Sequence, residues 1–298
     1  MFQIYHKSQA TVLLLIKSLY FCAMFQNRVS SFPRFTLVFL AAGLILSGCG
    51  EYEKLLKSRD YEKKFETAVD YYEEGEYVRA ATLLDQVDNI YRGTTKADTV
   101  KYYQAKSYYG QRDYMLAGHY FNELSVTYPN SEFLEEADFM VGYCFYEQSP
   151  RPELDQQNTY KAISAMQMFL VKYPRSERVE EAQQIIVEMS DKLVEKSFIS
   201  AKLYYDLGYY KSAIIALRNS LIEFPDTRYR EELMFLILKS SYLLADNSIP
   251  SKQRERFQAA IDEYFSFIGE FPEGPHSREA ENIYESSSEF LNTTNTES

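Results

Sequence analysis

Cys49 is the residue whose sequence context points most directly to covalent chemistry. A basic segment precedes an apolar run at 35–46, and two small residues, Ser47 and Gly48, separate that run from the cysteine. A basic flank, a short apolar run and small residues before a cleavage point are typical of a secretory signal peptide. The run is too short to span a bilayer as a stop-transfer helix. We therefore predict that residues 1–48 are a signal peptide.

The sequence Leu46-Ser47-Gly48-Cys49 resembles the bacterial lipobox. In that motif the cysteine becomes the first residue of the mature protein and carries acyl chains, so the resemblance implies lipidation at Cys49. Residues 49–60 would then be a lipidated tether to a membrane. Gly50 takes the place of the Asp that often retains such lipoproteins at the inner membrane, which favours the outer membrane. The alternative is an ordinary signal peptide followed by an unmodified cysteine.

A second apolar stretch, at 11–23, lies ahead of this signal. One signal peptide does not need two apolar stretches. Met24 followed by the basic Arg28 would begin a signal of ordinary length. We therefore expect Met24, and not Met1, to be the initiator.

The other residues that could do chemistry are too scattered to form a recognisable site. They are His6, His119, His276, Cys22 and Cys144. None of them lies at the spacing of a metal-binding motif, and no nucleophile elbow, P-loop or dinucleotide fingerprint occurs. We predict no catalytic residue, no metal site and no cofactor, and we expect a protein that is not an enzyme.

The charge of the chain limits the classes of partner. The net charge is −11, yet residues 1–50 contain four basic residues and no acidic one, so the remainder carries 28 basic against 43 acidic residues. Nucleic acids require a basic face for their phosphates. An acidic body therefore argues against a nucleic-acid partner and leaves basic protein surfaces possible.

An aromatic-Pro ending recurs along the chain and organises it into repeats. The endings are Tyr128-Pro129, Tyr173-Pro174, Phe224-Pro225 and Phe271-Pro272, with a weaker one at Tyr91. Proline stops a helix because it lacks an N–H and restricts the residue before it. The prolines are 45, 51 and 47 residues apart, and a helix stop at such a period is typical of a solenoid of helical pairs.

Small residues and tyrosines recur between these endings. In the first helix of a repeat a small residue precedes Tyr by three positions, and the second helix carries another small residue: Ala68, Tyr71 and Ala80; Ala105, Tyr108 and Ala117; Ala201, Tyr204 and Ala213. A small residue lets a neighbouring helix approach closely. The pattern resembles the tetratricopeptide repeat. It predicts an all-α solenoid of five helix hairpins with a C-terminal capping helix at 277–291.

The repeats divide the mature chain into two groups. Residues 61–175 are predicted to hold repeats one to three, and residues 176–291 hold repeats four and five with the capping helix. A helical pattern at 177–207 is unusually long and predicts an extended rod. The polar tail 292–298 is predicted to be disordered. Insertions inside repeats three and five lie at 149–158 and 246–256.

The inner face of the first helices is rich in aromatic residues. If the tetratricopeptide geometry holds, a peptide groove is lined by Phe65, Tyr72, Tyr102, Lys106, Tyr109, Phe139, Tyr143 and Tyr146, with Phe198, Lys202 and Tyr205 in repeat four. Tyr and Phe offer apolar contact area at low rotamer cost. An aromatic groove with a few lysines suits an extended peptide that is rich in aromatic side chains and ends in a carboxylate. The alternative is that some of these rings pack against the next repeat as core.

Three stretches, together with the lipobox, resemble one known family. They are 68–84, 121–137 with Tyr128-Pro129-Asn130-Ser131 inside it, and 201–227 with Phe224-Pro225-Asp226-Thr227 at its end. Their order and number resemble the BamD (YfiO) lipoproteins of the bacterial outer-membrane β-barrel assembly machinery. The resemblance covers roughly residues 49–291.

The resemblance implies a function without catalysis. A member of this family would be lipid-anchored in the outer membrane on its periplasmic face, as a scaffold and receptor for unfolded outer-membrane proteins that promotes their insertion. The N-terminal groove would receive those proteins, and the C-terminal repeats would dock on a BamA-like barrel protein. Lys211 and Arg218 are the residues that we expect to contact that partner.

Two other functions remain open from the sequence. A tetratricopeptide lipoprotein could instead coordinate cell-wall enzymes as a periplasmic scaffold. A glycan-binding lipoprotein is a third option, because aromatic faces also stack on sugars. The absence of Trp from the chain argues against this third option.

Overall fold

The computed structural model describes residues 50–296, and every regular element in that range is an α-helix. The helices are α1 (50–57), α2 (Tyr61–Glu73), α3 (Tyr77–Tyr91), α4 (Ala97–Gly110), α5 (Tyr114–Thr127), α6 (Leu134–Glu147), α7 (Gln157–Lys172), α8 (Val179–Asp206), α9 (Tyr210–Glu223), α10 (Arg230–Asp246), α11 (Pro250–Glu270) and α12 (Ser277–Thr296). The predictions for the signal peptide 1–48, the initiator Met24 and the lipidated Cys49 lie outside the described residues.

The helices pair as consecutive hairpins, which confirms the predicted all-α solenoid. The hairpins are α2–α3, joined by ring contacts such as Phe65–Tyr91, and α4–α5, α6–α7, α8–α9 and α10–α11, while α12 packs on α11 and α10. We call the first and second helix of each hairpin helix A and helix B. From α3 onward, each helix packs against the next in the chain. Contacts are therefore made between neighbours, as in other repeat arrays.

The aromatic-Pro endings stop each helix B. The aromatic residue leaves the helical conformation while its N–H still donates to the carbonyl four residues earlier, as Tyr128 does to Leu124 at 2.8 Å. The Ser or Thr two residues after the proline accepts from the N–H two residues later, as Ser131 Oγ does from Phe133 at 3.2 Å. Because Phe133 is the residue that precedes α6, the hydroxyl orders the turn and not the helix itself.

The hydrophobic core is interrupted within the long helix α8. One cluster of buried residues takes Ala182, Ile185 and Met189 from the N-terminal half of α8. The next cluster begins at Ala201, in its C-terminal half. Helix α7 therefore packs on the first half of α8 and α9 on the second half. At 1.5 Å per residue, a helix of 28 residues is about 42 Å long, so the two helices B lie offset along it.

Contacts from neighbouring loops support the middle of α8. Lys192 Nζ donates to Ser149 Oγ at 2.8 Å, and Lys196 Nζ donates to the carbonyl of Glu153 at 2.9 Å. Both partners belong to the insertion predicted at 149–158. From the loop after α9, Arg228 forms an ion pair with Glu195 at 3.5 Å. The insertion therefore braces the part of α8 that lies between the two core clusters.

Three boundaries differ from the sequence prediction. The tether predicted at 49–60 is helical over 50–57, and Lys64 Nζ donates to the Leu56 carbonyl at 3.0 Å. The tail predicted as disordered at 292–298 continues α12 as far as Thr296. The insertion at 246–256 is a short turn followed by extra helical turns, because Pro250 fits the first turn of α11. The polar composition of these segments favoured coil, whereas the structure shows that much of each segment is helical.

Gly110 is expected to be a point at which two helices approach too closely for any side chain. A Cβ placed there would lie 2.5 Å from the Tyr77 ring, whereas a Cβ at Gly269 would meet nothing within 4 Å. Gly110→Ala should lower the free energy of unfolding by about 1–3 kcal/mol through overpacking. Gly269→Ala, the control in the last turn of α11, should leave it unchanged or raise it by less than about 1 kcal/mol. Urea unfolding of both variants measures the difference, and equal effects would contradict the packing assigned to Gly110.

Candidate functional site

One aromatic position of each helix A makes the same contact in all five repeats. Its ring lies against the side chain of the residue that immediately precedes the next helix A, or α12 in the last repeat. The pairs, with the distance from the ring centroid to the partner ring, ammonium nitrogen or guanidinium carbon, are Phe65–Lys96 (5.7 Å), Tyr102–Phe133 (4.2 Å), Phe139–Arg178 (4.5 Å), Phe198–Tyr229 (4.2 Å) and Phe235–His276 (4.2 Å). We call this set the stacking pairs. They join successive repeats.

The stacking pairs change the role of one predicted groove residue. Phe139 is only 1% exposed and belongs to the main core cluster. Arg178 covers one side of its ring, and Phe169 lies against it at 5.3 Å between centroids. The prediction that Phe139 lines a peptide groove is therefore wrong, since a partner could reach it only by displacing core side chains.

Lys106 was predicted to be a free cation in the groove, and it is instead paired. Its Nζ lies 2.9 Å from Glu136 Oε1, and Tyr102 donates its hydroxyl to Glu136 Oε2 at 2.7 Å. Burial alone would raise the pKa of Glu136, but the hydrogen bonds from Tyr102 and Lys106 and the charge of Lys106 together lower it. Lys202 is likewise paired, with Asp206 at 2.8 Å. Neither lysine is available to hold the terminal carboxylate of a peptide.

The pairing of Lys106 recurs at the end of the solenoid. Lys239 follows Phe235 by four residues, as Lys106 follows Tyr102, and its Nζ lies 2.7 Å from Glu279 Oε1. Glu279 lies three residues after His276, as Glu136 does after Phe133. The ion pair therefore lies at the same contact between successive repeats as the stacking pair, and we call this contact the joint. This recurrence indicates a structural role for Lys106.

Most of the remaining predicted groove residues are half-buried rings that contact other rings in two groups. Tyr72 and Tyr102 both contact Tyr103 edge-on, with centroids 5.4 and 5.6 Å apart. Tyr109 contacts Tyr143 at 6.3 Å. We call these residues, together with Phe133 and Tyr146, the aromatic seam. It links helices A of repeats one, two and three along one face.

Burial raises the pKa of several tyrosines in the seam. Burial raises the pKa of Tyr109 to about 12. Burial and the hydrogen bond that Tyr146 donates to Glu188 Oε2 at 3.0 Å raise the pKa of Tyr146 to about 12. Neutral half-buried rings can offer apolar area and a hydroxyl donor to a ligand at physiological pH.

Sequence reasoning missed three members of this region: Tyr103, Phe133 and Glu136. Tyr103 directly follows the predicted groove residue Tyr102. Phe133 and Glu136 lie before and in the first turn of α6, outside the parts of helices A from which the groove residues were predicted. The fixed interval of 31 residues that separates 65 from 96, 102 from 133 and 198 from 229 was a signal that could have found the stacking pairs.

The two residues predicted to dock a partner differ in their availability. Arg218 forms an ion pair with Glu263 of α11, which joins repeats four and five. It also lines a cleft of about 290 Å³ with Ile222, Arg230 and Met234. Lys211 is exposed in the first turn of α9. Of the two residues, Lys211 is the better placed to meet another protein.

The described residues contain no arrangement that suggests metal or membrane-spanning chemistry. Within 50–296 no group of three His, Cys, Asp or Glu could hold a metal ion. No helix in the part of the chain that the structure describes is long and apolar enough to cross a membrane. The buried thiol of Cys144 has its pKa raised to about 12 by desolvation, so it remains protonated and unreactive.

The paired helices and the recurrent contacts between repeats define the class of protein as an all-α solenoid of helix hairpins. A family model described as YfiO, outer membrane lipoprotein, matches residues 58–257. The chain belongs to this family of outer-membrane lipoproteins. The matched range includes the whole aromatic seam and ends in the first turns of α11.

Two individual proteins are similar to the chain over about three quarters of its length. It is 27% identical over 227 residues to a protein of Aquifex aeolicus (strain VF5) named putative outer membrane protein assembly factor BamD, over 75% of this chain and 74% of that protein. Among solved structures, it is similar to yeast Sti1 in a structure titled TPR2AB-domain:pHSP90-complex, with 12% identity, a TM-score of 0.35, and coverage of 76% of this chain and 98% of that one. The second likeness is too distant to support a statement about function.

Glu136 is expected to stabilise the joint between repeats two and three. Glu136→Gln removes the ion pair with Lys106 and should lower the free energy of unfolding by about 1 kcal/mol at neutral pH. Folding lowers the pKa of Glu136 from its ordinary value of 4.5. Its contribution is therefore complete above that value and is lost as the pH falls through the folded pKa.

Urea unfolding of wild type and variant across an acid series measures this contribution. The difference between them should shrink as the medium becomes more acid than the ordinary carboxyl pKa. Glu135→Gln, on the same helical turn but exposed, is the control and should change stability little. A difference that does not depend on pH would contradict the pairing.

Proposed function

We propose that this protein is the outer-membrane lipoprotein subunit of the β-barrel assembly complex, and that it works as a scaffold and receptor for unfolded outer-membrane proteins. The observation that carries the proposal is membership of the YfiO family across residues 58–257. The name of the Aquifex relative, an outer membrane protein assembly factor, supports it. The function requires binding surfaces and no catalytic group.

The aromatic seam is the proposed receptor surface. Its rings are half-buried and already ordered by contacts with one another, so binding costs little side-chain entropy. An extended strand with alternating aromatic side chains could place its rings against Tyr72, Tyr109 and Tyr143. Since Lys106 and Lys202 are paired within the chain, apolar contact and tyrosine hydroxyls would supply recognition. Binding should consequently depend little on salt.

The C-terminal repeats are the proposed dock for a BamA-like barrel protein. Lys211 offers an exposed cation on α9, and the ion pair of Arg218 with Glu263 holds repeats four and five together as one surface. Joining a receptor and a barrel protein through one scaffold raises the effective concentration of substrate at the site of insertion. Acyl chains on Cys49 would hold this assembly at the periplasmic face of the outer membrane.

Composition of the native complex tests the proposal as a whole. Isolation of the lipoprotein from outer membranes in detergent should recover a large outer-membrane barrel protein in stoichiometric amount. Recovery of soluble cell-wall enzymes instead would favour the alternative scaffold function. Mass spectrometry of the recovered proteins measures the outcome.

Tyr72→Ala combined with Tyr109→Ala tests the receptor surface. The double variant should bind a C-terminal peptide of an outer-membrane barrel protein more weakly by about 1 kcal/mol or more, as expected for anchor residues. The control is Tyr209→Ala, which removes an exposed tyrosine from the α8–α9 turn. Fluorescence anisotropy of a labelled peptide measures affinity, and thermal unfolding confirms that the variant is folded. Unchanged affinity in a folded double variant would show that these two rings do not contact the peptide and that their role is structural.

Lys211→Glu tests the dock. Reversal of this charge should reduce co-purification of the barrel partner without changing peptide affinity at the seam, because a rim charge acts mainly on association. Lys63→Glu makes the same charge change at an exposed site on α2 and is the control. Equal recovery of the partner by both variants would argue against docking through α9.

A further inference from the structure

A cleft of about 300 Å³ lies where the two halves of the solenoid meet along α8. One wall begins at Tyr160 near the start of α7, and the opposite wall is formed by α9. The floor is the middle of α8. The residues used below are Tyr160, Lys196, Ser200, Tyr204, Asn219 and Glu223.

The offset of α7 and α9 along α8 explains why the cleft is open. In a regular repeat, successive helices B lie side by side on the helix A between them. Here Met166 of α7 packs in the cluster of the first half of α8, and Leu217 of α9 packs in the cluster of the second half. No other helix of the described chain fills the space that remains between them.

Five polar or aromatic side chains around this cleft have no partner within the described part of the chain. Tyr160 is 55% exposed and Tyr204 is 44% exposed, and neither ring contacts another ring or uses its hydroxyl. Ser200, Asn219 and Glu223 are exposed, and their side chains make no hydrogen bond or ion pair with described residues. Tyrosines of the aromatic seam, in contrast, all pack on other rings.

The walls of the cleft are nevertheless held firmly. Lys196 Nζ donates to the carbonyls of Glu153 at 2.9 Å and Leu154 at 3.1 Å. The buried side chain of Gln156 orders the same loop, because its Nε2 donates to the Leu154 carbonyl at 3.0 Å. The carbonyl of Gln156 accepts from the Tyr160 N–H at 3.1 Å, which starts α7. The insertion at 149–158 therefore positions Tyr160 at the edge of the cleft.

We propose that this cleft binds a short oligosaccharide of pyranose rings. A pyranose presents an apolar C–H face that packs on an aromatic ring and a rim of hydroxyls that both donate and accept hydrogen bonds. Tyr160 and Tyr204 supply the rings, and Ser200, Asn219 and Glu223 supply groups that match such hydroxyls. The volume suits one or two sugar rings, and the mixture of apolar walls and a few polar groups is that of a small-ligand site.

An extended peptide fits the same cleft less well. A peptide strand binds by pairing its N–H and C=O groups with free backbone groups of an edge. The floor is the interior of α8, where backbone groups are already bonded within the helix. The floor therefore offers side chains alone, and they suit hydroxyls. The rings of Tyr160 and Tyr204 can stack on sugars in place of Trp, which the chain lacks.

The proposal does not depend on the function proposed above, and its test uses different residues. The full-length lipidated protein is held in a detergent without a sugar headgroup. It is titrated with two probes: chitotetraose, which represents the β-linked amino sugars of cell walls, and core oligosaccharide released from lipopolysaccharide. Saturation-transfer NMR reports binding, and titration yields the Kd. Binding of either probe, with a Kd of about 1 mM or tighter, is expected, and the probe that binds identifies the source of the sugar.

Matched variants locate the binding. Tyr160→Ala and Tyr204→Ala should each weaken binding about fivefold, which is the loss expected from one stacked ring. Asn219→Ala should weaken it as well. Tyr209→Ala, also an exposed tyrosine but not part of the cleft, should bind as wild type does. All four side chains are exposed, so the variants should fold normally.

Three results would overturn the proposal. The first is that neither probe binds. The second is that a probe binds equally well to wild type and to the Tyr160→Ala and Tyr204→Ala double variant. The third is that an extended peptide binds with the same dependence on Tyr160 and Tyr204 while both sugars fail. Peptide binding at the aromatic seam would be unaffected by any of these results.

Discussion

The stacking of one helix A aromatic on the residue before the next helix A, or α12 in the last repeat, is the contact on which the solenoid depends. A repeat array has only contacts between neighbours, so the geometry of each joint determines the path of all that follows. Five joints use the same position while the partner changes from Lys to Phe, Arg, Tyr and His. Planar and cationic groups are interchangeable there because both are attracted to the face of an aromatic ring. The contact therefore fixes the spacing of the repeats and tolerates substitution of its partner.

This joint also limits what the inner face can bind. The stacking-pair ring of Phe139 is buried and so is withdrawn from a ligand, and Lys106 is paired with Glu136 at the contact between repeats. What remains accessible is the half-buried aromatic seam, whose members support one another before any ligand arrives. The same packing that stabilises the array thus leaves a preorganised apolar surface, which suits capture of an extended chain better than recognition of a charge.

The long helix α8 is the exception to the regular stacking and gives the protein its second surface. Because its two halves serve different core clusters, the helices B on either side are offset and the insertion at 149–158 braces the middle. The cleft beside Tyr160 and Tyr204 is a consequence of that offset. Side chains such as Tyr160 and Tyr204 lack partners here because the offset moves away the helix that would pack on them in a regular array.

The sequence by itself determined the class of fold and its period. Proline stops, small residues at helix crossings and the spacing of aromatic residues act locally, so the five hairpins and the long helix could be predicted from Tyr128-Pro129 and its equivalents. Only the tertiary structure decided which rings are core and which are surface. Phe139 and Tyr102 occupy equivalent positions in their helices, and they differ in their cover: Arg178 and Phe169 lie against the first, which is buried, while the second stays half-buried against Phe133. Such cover comes from residues thirty or more positions away, whose approach depends on helix offsets that no local pattern encodes. The same reason explains why Lys106 and Arg218, predicted as free cations, are neutralised by acids contributed from the next repeat.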